Sequence, residues 1–396
     1  MNICRHSLIF GLSYALDIAG NNNLSHSKSV AYISVMIGRR LDMAENKILH
    51  LYYIALLHDI GMGLTYQMKP HCIDGERMLK NLPLPNYVAK SVLYHHEYSD
   101  GSGLFGLSGN DIPREAQIVC LASDFDDAFG MFDEVYCRNL FTRVRAWLDT
   151  NRHRYSRDVA DAFSQLIERE HFLLDYFNQE TKYHLSRTLV VNDLVRYSYG
   201  DIEKYARCFS DIIDRRSSFT YTHSHGIAKL ARIASSGLGY SVDIQNQMYI
   251  AGLLHDIGKL CISPDILHKP GPLTLEERFE MNKHPYYTRK ILEQIEGFED
   301  IVNYAANHHE KIDGSGYPYH LQGQSLGELC RLMAICDVYQ ALTEQRPYRK
   351  PLLPEEVWGI IDEMVDKQHL DKALVEKVKP LFNYSNMPLK QYQASG

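Results

Sequence analysis

The stretch NQMYIAGLLHDIGKL (residues 246–260) decides how this chain is read. Its apolar residues recur at helical spacing, the pair His255-Asp256 follows, and Gly258 supplies a stop. A near copy, YIALLHDIGMG, stands at residues 53–63. The likeness extends in both directions. His58 follows His26 by 32 residues, and His255 follows His223 by the same 32, in the matching contexts HSKSVAYI and HSHGIAKL. His71 precedes His95-His96 by 24 residues, and His284 precedes His308-His309 by 24. Asp124 comes 28 residues after His96, as Asp337 does after His309.

The offset between copies is 197 for the early landmarks and 213 for the later ones. One 16-residue shortening explains the change, because the second copy has an extra segment around LCISPDILHKPGPLTLEERFEM (260–281). The chain is therefore two copies of one module. Ten of its 19 histidines sit at repeated positions, so histidine placement is the feature to explain.

The segments around these landmarks read as helices. LCRLMAICDVYQALT (329–343) and EAQIVCLASDFDDAF (115–129) are apolar at helical spacing with Asp337 and Asp124 in their middles. SLGELCRL and PEEVWGIIDEMV place acids in their first turns, as helix starts prefer. Strand-like alternation is rare. The expectation is an all-α fold of two tandem helical bundles, with domains over 1–180 and 181–396. The span from Glu168 to Ser210 has no proline and no Gly/Ser tract, which predicts a helical connection. The opening MNICRHSLIFGLSYALDIAG carries Asp17 and no small-residue cleavage site, and reads as an amphipathic helix rather than a signal peptide.

Composition narrows the function. Net charge is −7, so no basic field attracts DNA or RNA. No apolar run is long enough for a membrane span. The eight cysteines form no C-x-x-C pair, which argues against a disulfide scaffold and a thiolate zinc site and for a reducing cytoplasm. Nothing in the sequence indicates a homo-oligomer.

Burying Asp337 unpaired in an apolar helix would cost several kcal/mol, which a metal cation, an Arg or Lys partner, or an exposed helix face would each avoid. Adding His223, His255, Asp256, His284, His308 and His309 gives five imidazoles and two carboxylates, too many for one tetrahedral ion and suited to two with open water positions. Asp256, next to His255, is placed to bridge them. Nitrogen and oxygen donors without thiolate favour two divalent transition metals from iron, manganese, zinc, cobalt and nickel over soft-metal sites, and of these iron or manganese is the expectation.

HHEKIDGSGYP (308–318) together with LLHDIGK resembles the HD-GYP subgroup of the HD phosphohydrolases. The likeness is close over about residues 205–390 and weaker over 1–140. It implies a helical, metal-dependent hydrolase of cyclic di-GMP or cyclic GMP-AMP, giving a linear 5′-phosphorylated dinucleotide. By the resemblance, His223, His255, Asp256 and Asp337 hold one metal, and His284, His308 and His309 the second, with Asp256 bridging and catalytic. Lys259 contacts the scissile phosphate. Tyr317 and Pro318 form a substrate wall, and Asp313 and Gly314 belong to the same substrate-binding loop. Arg346, Arg349 and Lys350 in TEQRPYRK bind phosphate, where the planar guanidinium fork suits phosphate oxygens. Phe219 stands where some relatives have a glutamate for a third metal, which favours two. A receptor that binds the dinucleotide without cutting it is the alternative.

The first copy keeps the ligand types His26, His58, Asp59, His71, His95, His96 and Asp124, but Met62 replaces the lysine and GYP reads as Leu104–Gly106. Two readings stand: a structural or regulatory metal module, or a phosphatase for a phosphomonoester such as the product's 5′-phosphate. In the second, Lys69 would replace the missing charge.

Overall fold

A computed structural model describes residues 2–19, 25–63, 67–130, 139–177, 195–216, 223–344 and 351–385. Its regular structure is helical apart from two three-residue strands, Asn2–Cys4 and Arg196–Ser198, which pair with each other. The chain divides into two compact units, Cys4–Tyr197 and Met1–Ile3 with Ser198–Gly396. Of the expected helical connection, residues 178–194 lie outside the described residues; Glu170–Phe177 and Tyr199–Arg216 on either side are helices.

Both units use one plan. The helix His26–Arg40 packs on Glu45–Leu57, and His223–Gly237 packs on Val242–Leu254. Gly252 allows the second pairing, since a Cβ there would lie 2.6 Å from the Ala228 Cα. Ser241 caps Val242–Leu254 by accepting from the Ile244 N–H. Each histidine helix is preceded by another whose buried acid faces its first turn. Asp17 accepts from the Ser27 N–H at 2.8 Å, and Asp214 from the Ser224 N–H at 3.2 Å and hydroxyl at 2.6 Å. Negative charge is favoured there by the helix dipole. The repeat thus begins one helix earlier than its histidines.

The helix Arg5–Ala19 differs from the amphipathic reading. Leu8, Ile9, Leu12 and Ala15 are buried, and so are Arg5, His6, Ser13 and Asp17 on the polar side. Its polar residues are short or partnered, so both faces are covered by protein.

Gly258 also has a different role from a helix stop. The helix ends at Leu254 and a 3-10 turn, Ile257–Cys261, follows. A Cβ on Gly258 would lie 2.0 Å from the His284 carbonyl oxygen, and one on Gly61 would lie 2.0 Å from that of His71. Each glycine lets the His-Asp turn press against the backbone of the next histidine helix. Thr288 locks the second contact, donating to the His255 carbonyl at 2.8 Å and accepting from the Gly258 N–H at 3.1 Å.

Candidate metal centres

In the second unit the ligand candidates arrive from five segments. His223 opens its helix, His255 and Asp256 follow theirs, His284 opens the helix His284–Leu292, His308 and His309 follow Glu299–Ala306, and Asp337 lies within Glu328–Thr343. The backbone sets the imidazole orientations. The Nδ1 of His255 faces the Gly252 carbonyl at 2.8 Å, that of His284 faces Met281 at 2.8 Å, and that of His308 faces Ala305 at 2.6 Å. His223 Nδ1 is instead held by the Glu344 carboxylate at 2.9 Å. These contacts leave four Nε2 atoms to converge, the arrangement by which outer groups orient metal-binding histidines.

Asp256 joins the sets. Its Oδ2 lies 3.1 Å from His255 Nε2 and 3.9 Å from His223 Nε2, while Oδ1 lies 3.3 Å from His284 Nε2 and 3.8 Å from His308 Nε2. Asp337 reaches both sides, 3.8 Å from His223 Nε2 and 3.8 Å from His309 Nδ1. His255 Nε2 and Asp256 Oδ1 are buried with no hydrogen-bond partner, although buried polar atoms are nearly always paired. A cation between the sets would satisfy both, so the residues fit a metal pair. Burial also holds His284 down at about 4 and His308 at about 3, keeping their nitrogen lone pairs free near neutral pH. Burial raises the Asp256 carboxyl, but the surrounding His255 and Lys259 outweigh it and hold it well below its usual value.

Lys259 Nζ lies 2.5 Å from Asp256 Oδ2, at the edge of the cluster. Tyr317 lies beside His309 with ring centres 4.8 Å apart and the rings tilted by 37°, and its peptide to Pro318 is cis. Asp313 and Gly314 are engaged in the turn itself. Asp313 Oδ1 accepts from the Ser315 N–H at 2.9 Å, its other oxygen lies 3.7 Å from His369, and Gly314 has a φ of +79°. Arg346, Arg349 and Lys350 lie outside the described residues, as does Phe219.

The first unit gathers six of its seven candidates. His26 Nε2 lies 3.3 Å from His58 Nε2, and His71 Nε2 lies 3.2 Å from His95 Nε2. Asp59 spans them, with Oδ2 3.5 Å from His58 and 3.7 Å from His26, and Oδ1 3.7 Å from His71 and 3.8 Å from His95. His96 stands against His95 with ring centres 4.0 Å apart. Burial raises Asp59, but His58 and its neighbours hold it at about 2.

Asp124 is not brought to this cluster. It accepts from Tyr155 at 2.7 Å and Tyr98 at 3.4 Å, with Arg154 at 3.9 Å. The reason is a one-residue register shift in the loop before its helix. Glu310 accepts from the N–H groups of Tyr319 and Leu321, whereas Glu97 accepts from those of Phe105 and Leu107. Gly103 is the counterpart of Gly316, since a Cβ on either would strike the backbone of Glu97 or Glu310. Gly316 and Tyr317 therefore correspond to Gly103 and Leu104, the Phe105 N–H takes the place of that of Tyr319, and the first loop is one residue shorter, with no counterpart of Pro318. Downstream, the helix Arg114–Phe129 pairs with Glu328–Thr343 at an offset of 214, not 213. Buried Ser123 takes the place of Asp337, and Asp124 that of Val338. The aromatic packing agrees: Phe125 meets Trp147 and Phe163 as Tyr339 meets Trp358 and Phe382.

Three further residues were missed in the sequence. Asp126, buried, accepts from Tyr176 at 2.6 Å and holds His26 Nδ1 at 2.7 Å, as Glu344 holds His223. Burial lowers His26, but Asp126 outweighs it and raises the imidazole to about 10. Neither acid has a sequence signal, because Asp126 lies inside its helix while Glu344 stands just past the end of its own. The third is Cys72, whose Sγ lies 3.7 Å from His71 Nε2. Met62 lies in the turn Ile60–Gly63, and Lys69 Nζ sits 4.8 Å from the centre of the Phe105 ring.

A helical scaffold carrying His/Asp clusters joined by a bridging aspartate defines the class. The chain belongs to the HD-domain family: residues 23–128 match one HD domain model and residues 207–374 another. It is similar to the 3′3′-cGAMP-specific phosphodiesterase 1 of Vibrio cholerae, with 29% identity over 95% of this chain and 91% of that protein. A cyclic di-GMP phosphodiesterase of Pseudomonas aeruginosa is 33% identical over 41% of this chain and 40% of its own length. The crystal structure of a cyclic GMP-AMP-specific phosphodiesterase of Vibrio cholerae shares the fold, with a TM-score of 0.70 and 22% identity over 98% of this chain and 99% of that one.

Proposed function

We propose that this chain is a metal-dependent HD-GYP phosphodiesterase that hydrolyses a cyclic dinucleotide in its second HD domain. The observation that carries the reading is Asp256, whose two oxygens face two separate imidazole sets beside Lys259. Two divalent metals held there, with iron or manganese preferred over zinc, cobalt and nickel, would supply Lewis-acid charge and a water activated near neutral pH.

The chain's own residues do the rest. His223, His255 and Asp337 hold one side and His284, His308 and His309 the other, with Asp256 common to both. Lys259 faces a non-bridging phosphoryl oxygen and stabilises the charge that grows there. Water adds to phosphorus in line, the bond from phosphorus to the ribose 3′-oxygen breaks, and that oxygen takes a proton, leaving a linear dinucleotide with a 5′-phosphate. Tyr317 forms the wall beside His309. Arg346, Arg349 and Lys350 carry the remaining phosphate contacts in this reading.

Cyclic GMP-AMP is the preferred substrate over cyclic di-GMP, because the similarity that runs nearly end to end is to a 3′3′-cGAMP-specific enzyme. The first domain binds metal without cutting the dinucleotide, since Met62 stands where Lys259 does. Among the described residues no helix is long and apolar enough to cross a membrane, and the seven described cysteines are free, which suits a cytoplasmic enzyme. The test is chromatography of products after protein reconstituted with Fe(II) or Mn(II) meets both cyclic dinucleotides. A linear 5′-phosphorylated product, faster from cyclic GMP-AMP, is expected. Bound but uncut ligand under every metal would make the chain a receptor.

A further inference from the structure

The first domain differs from the second in one ligand-forming atom that its histidine pattern does not contain. Cys72 follows His71 on the helix Met68–Leu79, at the position that Pro285 holds after His284. Its side chain is fully buried, and its sulfur joins the nitrogens of His71, His95 and His96 within 4.8 Å of one another. Among the described residues no other candidate metal group contains a cysteine.

The spacing fits one ion. Metal arms of about 2.0 Å to nitrogen and about 2.3 Å to sulfur at tetrahedral angles place two nitrogens about 3.3 Å apart and nitrogen and sulfur about 3.5 Å apart. The observed separations are 3.2 Å for His71 Nε2 to His95 Nε2 and 3.7 Å for Cys72 Sγ to His71 Nε2. His71 is 1% exposed and its Nδ1 has no hydrogen-bond partner, unlike His284, whose Nδ1 is held by a carbonyl. The His71 ring is therefore oriented from its Nε2 side, where the sulfur lies.

We propose that Cys72 is a thiolate ligand in a His71/Cys72/His95/His96 site that takes zinc or another thiophilic divalent ion. Binding releases the thiol proton to solvent, so the ion gains one negative ligand. With Asp59 grouped on the His26/His58 side, Cys72 is the fourth protein ligand, which closes a tetrahedral ion and fills the position that a hydrolytic site leaves to water. The first domain then carries a structural ion of a softer class than the iron or manganese of the second. This deepens the reading of the first domain as a metal-binding module and rests on it.

The experiment is Co(II) substitution of the full chain, with absorption spectra and cobalt counted per chain by mass spectrometry. A thiolate-to-cobalt charge-transfer band in the near ultraviolet is expected in the wild type. It should vanish in Cys72→Ser and in Cys72→Ala, and persist in Cys261→Ser, with melting temperatures recorded for each. Three or more cobalt ions with no such band would overturn the role of Cys72 and leave the first domain metal-binding. Two or fewer cobalt ions with no band would overturn both. A band that survives both Cys72 variants would assign the thiolate elsewhere and overturn the proposal. If both Cys72 variants fail to fold, sulfur absent from the zinc coordination shell of wild-type protein by X-ray absorption overturns it instead.

Discussion

The two HD domains solve the same packing problem and then diverge at four side chains. Both press a glycine, Gly61 or Gly258, against the backbone of the next histidine helix, and both bridge two histidine sets with one aspartate. The second has Asp337, Lys259 and Pro285 where the first has Ser123, Met62 and Cys72, and it anchors its first histidine through Glu344 where the first uses Asp126. In the proposed function the scaffold and the histidines specify a place for metal, while the groups around them decide whether the place is open to a phosphodiester.

The largest effect tests that division of labour directly. His255→Ala with Asp256→Ala should abolish dinucleotide cleavage and lower metal content, while His58→Ala with Asp59→Ala should leave cleavage largely unchanged by product chromatography. Loss of cleavage in a folded first-domain variant would break the comparison. Next, Lys259→Met imports the first domain's residue and should lower kcat about 10²–10³-fold with metal content unchanged. Loss of metal in that variant would make the lysine a structural partner of Asp256.

Exchange of the helix residue sharpens the register argument. Asp337→Ser removes a direct ligand and should weaken metal binding by at least about 100-fold, the upper end of what losing an outer-shell partner costs, and Ser123→Asp should tighten it in the first domain, read by competition with a chelator. No response to Ser123→Asp would place that side chain away from the ion. Glu344→Gln and Asp126→Asn remove the two histidine anchors and should each weaken metal binding by about 10-fold in their own domains. The smallest effect is on stability. Gly258→Ala and Gly61→Ala should each cost about 1–3 kcal/mol by overpacking, measured by denaturant unfolding. A neutral result at either would show that the turn can move away from the histidine helix.

Much of this was legible before the fold. The helical class followed from apolar spacing, and thirteen of the fourteen ligand candidates are brought to one of the two clusters. The exception, Asp124, was misplaced by an equal count of 28 residues in both copies, which hid a deletion inside the loop. The aromatic phase of the helix, Phe125 against Tyr339, carried the correct register and was available in the sequence. The helix Arg5–Ala19 was misread because its polar residues imply an exposed face, whereas in the fold they are covered.

By itself the sequence determined the repeat, the helical class and the histidine-aspartate pairs, because those depend on spacing along one chain and on residue chemistry. Tertiary structure decided which carboxylate faces the imidazoles, which acid orients the first histidine, and that Cys72 stands among the ligand candidates. Those are matters of direction. A one-residue change of register turns a helical side chain by about 100°, enough to move a carboxylate from a metal site to a pair of tyrosines.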